Sequence, residues 1–146
     1  MIWPLSMSTH NQVWLNGSFD VLHTGHIKLF RIARTLAGPN GTVWVGTDSD
    51  DRISSYKGPT RPINNLQDRV LMLSSIKYID HVVPFASSSE LESIIHDIKP
   101  QYMVIGDDYR GRDIIGSQYI GKIIYVSRDE KSTSNIVDMI NWSIYG

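Results

Sequence analysis

The sequence predicts an α/β fold, a Rossmann-like doubly wound parallel sheet of about five strands with helices on both faces. Two observations carry this prediction: short apolar runs of strand length recur along the chain, and segments of helical period lie between them. This alternation is typical of a parallel sheet that is covered on both sides. Ligands of such sheets bind at the carboxyl ends of the strands, so we expect a site there.

Five segments have the composition of buried strands. They are short and apolar, the first two are rich in valine and tryptophan, and glycine bounds those two. The predicted strands are Gln12–Asn16, Thr42–Gly46, His81–Phe85, Tyr102–Ile105 and Lys122–Val126.

Four segments are predicted to be helices because their apolar residues recur with helical spacing. They are Thr24–Leu36, Leu66–Ile79, Glu90–Ile98 and Ser134–Ile144. The connection from Asp48 to Ile63 is predicted to be irregular. It is longer than most loops, so it is either functional or flexible.

Composition limits the function classes. The 146 residues suffice for one domain over 1–146, with 1–11 expected to be a flexible or peripheral segment. Cysteine is absent, which excludes disulfides, zinc–thiolate sites and a cysteine nucleophile, and agrees with a reducing cytoplasm. The net charge of −1, with both signs interspersed, argues against nucleic-acid binding. Neither a membrane-spanning run nor a signal peptide is apparent, so we expect a soluble, cytoplasmic protein that binds no membrane.

The stretch NGSFDVLHTGH joins the first predicted strand to the first predicted helix, and it holds two of the five histidines, His23 and His26. Helix amino termini bind phosphate because free N–H groups and the helix dipole favour an anion, and Gly25 lets the backbone approach closely. The alternative is that both histidines only cap and pack the helix start. A zinc site is disfavoured, because only Asp20 is near enough to be a third ligand.

The segment GSFDVLHTGHIKLF resembles the signature of the cytidylyltransferase-like nucleotidyltransferases, whose His-x-Gly-His motif binds a nucleotide triphosphate. Three further segments resemble motifs of that family in the same order: YKGPTRPINNLQDRVLMLSSIKYIDHVV, VIGDDYRG and SRDEKSTSNI. The resemblance runs from about Val13 to Ile140. The two most similar branches are the heptose-phosphate adenylyltransferase domain and glycerol-3-phosphate cytidylyltransferase.

The resemblance implies a role for each matched residue. His23, His26, Lys57 and Arg128 are the implied catalytic residues, which stabilise charge on the phosphates. The implied nucleotide-binding residues are Gly17, Ser18, Phe19, Gly25, Gly106, Asp107, Ser132, Thr133 and Ser134. Asp20, Asp48 and Arg61 are assigned to the substrate.

Several of these residues have a structural alternative. Asp20 is expected to orient the turn or a histidine rather than to contact an anion. Asp48 binds a substrate hydroxyl or is structural, and Arg61 and Arg69 contact the substrate or hold the following helix. The hydroxyls at 132–134 would also suit a helix cap.

The implied reaction transfers NMP from an NTP to a sugar phosphate and releases pyrophosphate. The expected substrates are ATP and heptose 1-phosphate, giving an ADP-sugar, and the alternative is CTP with glycerol 3-phosphate, giving CDP-glycerol. Pantetheine- and nicotinamide-pathway adenylyltransferases fit the terminal motif less well, and a non-catalytic nucleotide-binding regulator is a further alternative. Mg²⁺ is expected to be bound through the nucleotide phosphates without a dedicated protein site, and the enzyme is expected to be a homodimer.

Overall fold

The structure, a computed structural model, describes residues 10–127. The elements in chain order are β1 Gln12–Gly17, α1 Thr24–Ala37, β2 Thr42–Asp48, α2 Asp50–Lys57, α3 Leu66–Ser74, β3 His81–Phe85, α4 Ser88–Ile98, β4 Tyr102–Gly106 and β5 Lys122–Val126. Short 3₁₀ turns cover Asp107–Tyr109 and Ser117–Tyr119. The fourth predicted helix, Ser134–Ile144, and most of the 1–11 segment lie outside the described residues.

The five strands form one parallel sheet in the order β3-β2-β1-β4-β5. β1 therefore lies in the centre, and the chain turns in opposite directions on its two sides. The predicted α/β class and doubly wound parallel sheet are confirmed. The switch in direction falls between β1 and β4, where ligands of such sheets bind beyond the carboxyl ends.

Alternating side chains of the central strand build two cores. Val13 and Leu15 face the layer that contains Phe30 of α1 and Leu73 of α3. Trp14 points to the opposite face, where it packs with the second cluster, which comprises Phe85, Leu91, Ile95 and Met103. The central strands β1 and β2 bury side chains on both faces, as their continuous apolar runs predict, whereas the edge strands β3 and β5 are more exposed.

The connection predicted to be irregular contains helix α2, so that prediction is wrong over 50–57. Ser49 caps the helix by accepting from the N–H of Arg52, and Asp50 and Asp51 complement the dipole in the first turn. Ile53 is the helix residue that the core buries. The helix was missed because one buried position gives almost no apolar periodicity.

Two other helix boundaries differ from the prediction. α3 ends at Ser74 instead of Ile79, because the chain tightens into turns in which the Ile76 N–H bonds to Leu73 O and the Ile79 N–H to Ile76 O. α4 starts two residues earlier than predicted, after the N-cap Ser87. Within residues 10–127, none of the helices has the length and apolar character that crossing a membrane requires.

Candidate active site

The turn after β1 has a fixed and unusual backbone. Phe19 has a φ of +47°, a left-handed conformation that few non-glycine residues adopt, and its side chain is buried. Its ring packs against Phe30 and, edge on, against His26, with centroids 5.3 and 5.5 Å away. A Cβ at Gly17 would lie 3.2 Å from the Phe19 ring, so glycine fits this close approach. The core thus holds the turn that carries Ser18.

His23 and His26 cap helix α1 with one ring nitrogen each. The Gly25 N–H donates to His23 Nδ1 at 3.0 Å, and the His23 N–H donates to His26 Nδ1 at 3.1 Å. The two side chains form a reciprocal capping box, and the ring centroids are 3.9 Å apart. Because each Nδ1 accepts a backbone proton, the ring proton lies on Nε2. Both histidines line the cleft described below.

The environment keeps His26 neutral. Burial lowers the pKa of His26 to about 4, and the nearby His23 and Lys57 act in the same direction. The hydrogen bond from the His23 N–H also requires that Nδ1 of His26 carries no proton. His26 is therefore a neutral hydrogen-bond donor at pH 7 rather than a cation.

Lys57, the last residue of α2, reaches the histidine turn. Its Nζ donates to Ser18 Oγ at 3.0 Å. Burial, followed by the charge of Arg61, lowers the pKa of Lys57, and Asp20 and Asp48 oppose that shift. Lys57 and the two histidines thus lie at one turn, and their implied catalytic role stays a prediction.

Asp20 fastens the segment that follows α2 to the same turn. Its carboxylate is fully buried and accepts from Arg61 Nε, the Ile63 N–H and the Asn64 N–H, each at 2.8 Å. Burial alone would raise the pKa of Asp20, but the N–H bonds from Asn64 and Ile63, together with Arg61, give a net lowering. The carboxylate is fully engaged inside the protein. Its predicted role in orienting the turn fits this placement, and substrate binding by Asp20 stays a prediction.

Arg61 is enclosed with Asp20, and its side chain is 10% exposed. Its Nη2 is buried and has no hydrogen-bond partner within residues 10–127. Its carbonyl accepts from Ser54 Oγ at 2.6 Å, which ties the segment back to α2. Arg61 therefore keeps one donor that the described part of the protein does not use.

Arg69 on α3 is completely buried and joins four segments. Its guanidinium donates to Asn64 O at 3.0 Å, Ser18 O at 3.0 Å, Thr47 Oγ1 at 2.7 Å and Asp50 Oδ1 at 2.7 Å. Of the two roles that the sequence left open, holding the local structure is the one that this geometry fits. Thr47 and Asn64, which receive these bonds, were not singled out from the sequence.

The end of β4 forms the opposite side of the site. Asp107 pairs with Arg110 at 2.8 Å and is not among the residues that line the cleft, whereas Asp108 lines it. A Cβ at Gly106 would lie 2.7 Å from Asp108 Oδ1, so glycine allows the carboxylate to fold back over the strand end. Of the two predicted residues Gly106 and Asp107, Gly106 lines the cleft, and Asp108 lines it in place of Asp107.

One cleft of about 640 Å³ unites these groups. Of the predicted site residues, those that line it are Gly17, Ser18, Phe19, His23, Gly25, His26, Asp48, Lys57 and Gly106. Asp20, Arg61 and Asp107 do not line it, and Arg128, Ser132, Thr133 and Ser134 lie outside the described residues. The lining also includes Arg52 and Tyr56 of α2 and Tyr109 after β4, which the sequence did not single out as site residues. Arg112, for which the sequence left phosphate and solvent as alternatives, lines the cleft as well.

Sequence signals for the missed α2 residues were present but weak. Ser49 followed by two acids is a helix-start pattern, and it would have placed Arg52 and Tyr56 one turn apart on the same face. Nothing in a single sequence indicates that Arg69 is buried, because arginine is rarely buried.

Comparison with known proteins identifies the family of this chain. The family model described as cytidylyltransferase-like matches residues 14–137. The bifunctional protein HldE of Helicobacter hepaticus is 39% identical over 132 residues, covering 90% of this chain and 27% of the relative. HldE of Sulfurimonas denitrificans is 36% identical over 134 residues, covering 91% and 27% respectively. This chain therefore matches about a quarter of the length of these relatives.

Solved structures agree in fold. The lipopolysaccharide core biosynthesis protein of Thermoplasma volcanium superposes with a TM-score of 0.64 at 23% identity, covering 82% of this chain and 98% of the other. A protein of unknown function from Archaeoglobus fulgidus gives a TM-score of 0.63 at 20% identity, covering 84% and 93%. These likenesses concern the fold alone. With the family model matched over most of its length, the chain belongs to the cytidylyltransferase-like family of nucleotidyltransferases.

Proposed function

We propose that this chain transfers the nucleoside monophosphate of an NTP to a sugar phosphate and releases pyrophosphate, with ATP and heptose 1-phosphate as substrates. An oxygen of the sugar phosphate attacks the α-phosphorus, a new P–O bond forms, and the bond to the β-phosphate breaks. The electron pair leaves with pyrophosphate. The observation that carries the proposal is the convergence of His23, His26, Lys57 and Ser18 at one turn of the cleft.

The residues at that turn suit charge stabilisation rather than proton abstraction. The attacking phosphate is already an anion, so no general base is needed. The Nε2–H groups of His23 and His26 provide fixed donors for charge that develops on the transferring phosphate. Lys57 adds a cation where two anionic substrates must approach each other.

The position of β1 in the sheet supports a site for two substrates. The histidine turn lies between the end of β2 with α2 on one side and the ends of β4 and β5 on the other. We assign the nucleotide to the β4 side, where Gly106 and the Asp108 carboxylate line the cleft, and the sugar phosphate to the α2 side, where Asp48 lies. Arg61, with its unused Nη2 donor, is proposed to act on the sugar-phosphate side.

Magnesium ion is proposed as the cofactor. Residues 10–127 contain no group of three or more His, Cys, Asp or Glu that could hold a metal by themselves. Asp48 and Asp108 are the acidic side chains of the cleft lining, which fits an ion held chiefly by nucleotide phosphates. When bound, Mg²⁺ would neutralise phosphate charge, and the residues described above would position the reactants.

The heptose branch is favoured by the lysine-loop motif, by the IIGS segment at 114–117 and by STSNI, and relatives named HldE support it. The GDDY segment favours the second candidate, CTP with glycerol 3-phosphate. The test measures Mg²⁺-dependent pyrophosphate release for all four pairings of ATP or CTP with heptose 1-phosphate or glycerol 3-phosphate. Preference for CTP and glycerol 3-phosphate would replace the first candidate, and neither turnover nor nucleotide binding would overturn both.

A further inference from the structure

We propose that Tyr56, seated on Arg52, is a stacking platform that selects a cyclic sugar phosphate over an open-chain polyol phosphate. This inference rests on the proposed function and names the acceptor class of the same site. Tyr56 lines the cleft, yet its side chain is 66% exposed, the second largest exposure among the large apolar side chains of residues 10–127. An aromatic face is thus open to a ligand in the cleft.

The arrangement of α2 fixes the platform. Arg52 and Tyr56 are four residues apart, so they lie on one face of α2. Asp48 is the last residue of β2, directly before the helix cap. Arg52 Nε donates to Asp48 Oδ1 at 2.8 Å, and Arg52 Nη2 donates to Ser88 Oγ at 3.2 Å. The guanidinium carbon lies 5.6 Å from the Phe85 ring centroid and 5.1 Å from that of Tyr56. Arg52 is therefore held from several sides, and it supports the tyrosine ring.

The helix that carries Tyr56 is anchored independently of the ring. Ile53 is 1% exposed and Lys57 reaches Ser18, so neighbouring positions fix α2 against the core and the histidine turn. Tyrosine has few rotatable bonds, and its ring therefore offers contact area at little cost in side-chain entropy. The ring contributes little to the core, and its exposure in the cleft favours a ligand contact.

A sugar ring fits this surface better than an open chain does. A cyclic sugar has a face of C–H groups that can cover an aromatic ring, and hydroxyls at its edge that the neighbouring Asp48–Arg52 pair can bind. An open-chain polyol of three carbons presents no comparable flat face. The nucleotide side of the cleft has its own aromatic residue, Tyr109, whose ring lies 5.4 Å from the Arg112 guanidinium carbon. Each substrate thus has one exposed tyrosine.

The test compares Tyr56→Ala, Tyr56→Phe and, as a matched variant on the other side, Tyr109→Ala. Steady-state KM is measured for heptose 1-phosphate, glycerol 3-phosphate and the NTP. Tyr56→Ala should raise the KM for heptose 1-phosphate about tenfold, the scale of uncovering one apolar ring face, and should leave the KM for the other two within about twofold. Tyr56→Phe should match the wild type, and Tyr109→Ala should raise the KM for the NTP.

An unchanged KM for heptose 1-phosphate in Tyr56→Ala would overturn the inference, as would an equal effect on both acceptors. If Tyr56→Ala instead raised the KM for the NTP, Tyr56 would contact the nucleotide base and not the sugar, which would also overturn the inference. Calorimetry measures the affinity of the wild type and of Tyr56→Ala for heptose 1-phosphate, and this measurement does not depend on turnover. Equal affinities would also overturn the inference. Absence of pyrophosphate release from the wild type is a separate result, which counts against the proposed function. Circular dichroism checks that the variants are folded.

Discussion

At the scale of single residues, His23 and His26 have a structural role in capping α1, and the proposed chemical role uses the same side chains. Each ring accepts a backbone N–H at Nδ1 and caps α1, which fixes both the ring orientation and the position of its proton. The opposite nitrogen, Nε2, is then a donor whose direction is set before any ligand binds. Capping and anion binding, which the sequence presented as alternatives, are therefore compatible in one geometry.

Replacing His26 separates the two roles. His26→Ala should lower kcat by about 10²-fold or more, as removal of one preorganised donor typically does, and cost about 1 kcal/mol of stability through the lost cap. His26→Gln keeps a side chain suited to the N3 position of a capping box, so it should recover stability without recovering the rate. Kinetics and denaturant unfolding of both variants measure this. Full recovery of kcat in His26→Gln would mean that capping is the only role.

The neutral state of His26 has a pH signature. Because the folded-state pKa is lowered from 6.5 to about 4, the folded protein binds this proton less readily than the unfolded chain. The stability that depends on neutral His26 is thus complete above pH 6.5 and is lost as the pH falls toward 4. Ring ¹⁵N NMR should show the Nε2–H tautomer at pH 6, with His26→Gln identifying the signals. A protonated His26 ring at pH 6 would contradict the structure.

At the scale of elements, two buried charged residues tie loops to the sheet. Asp20 holds residues 61–64, and Arg69 joins that segment to the ends of β1 and β2 and to the start of α2. α2 carries Lys57, so these contacts bear on where the lysine lies. Asp20 and Arg69 act on the site by positioning other groups.

Removing Arg69 should therefore destabilise the fold and the site together. Arg69→Ala leaves several buried acceptors without their donor, and we expect a loss of about 3 kcal/mol in the free energy of unfolding. Arg31→Ala, at an exposed position of α1, is the matched control and should change it by no more than about 0.5 kcal/mol. Urea unfolding of both variants measures the difference. A loss in Arg69→Ala as small as that of the control would show that the buried contacts are not stabilising.

At the scale of the whole molecule, the topology decides which residues share a cleft. The strand order places β1 between β2 and β4, so the turns that follow three separate strands open onto the same cavity. The predicted homodimer also belongs to this scale. Among residues 10–127, Ile63, Leu71 and Met72 are large apolar side chains exposed by 54%, 67% and 39%, and they lie in or near the Arg-Pro segment and α3.

We expect the protein to form a homodimer through this surface. Leu71→Asp should shift the sedimentation equilibrium toward the monomer, because a charge would be buried at the interface. Lys28→Asp, on α1 at the cleft side, changes charge without touching that surface and should leave the mass unchanged. A monomeric mass for the wild type at micromolar concentration would contradict the expectation.

The fold class, the five strands and the histidine turn could be predicted from the sequence alone. These features depend on local apolar patterning and on a motif of eleven consecutive residues, so they can be recognised without knowledge of the tertiary structure. The sequence also indicated that Lys57 approaches the histidines, but only through resemblance to a family.

The positions of Asp20, Arg69, Asp108 and Tyr56 depend on the tertiary structure. Apart from Asn64 O, which lies 5 residues before Arg69, the partners of the Asp20 and Arg69 side chains come from segments 19 to 51 residues away, and no local pattern encodes such pairing. Asp108 rather than Asp107 faces the cleft because of the direction of one 3₁₀ turn. Tyr56 joins the site because α2 is a helix, and that helix depends on a cap and one buried isoleucine rather than on an amphipathic repeat.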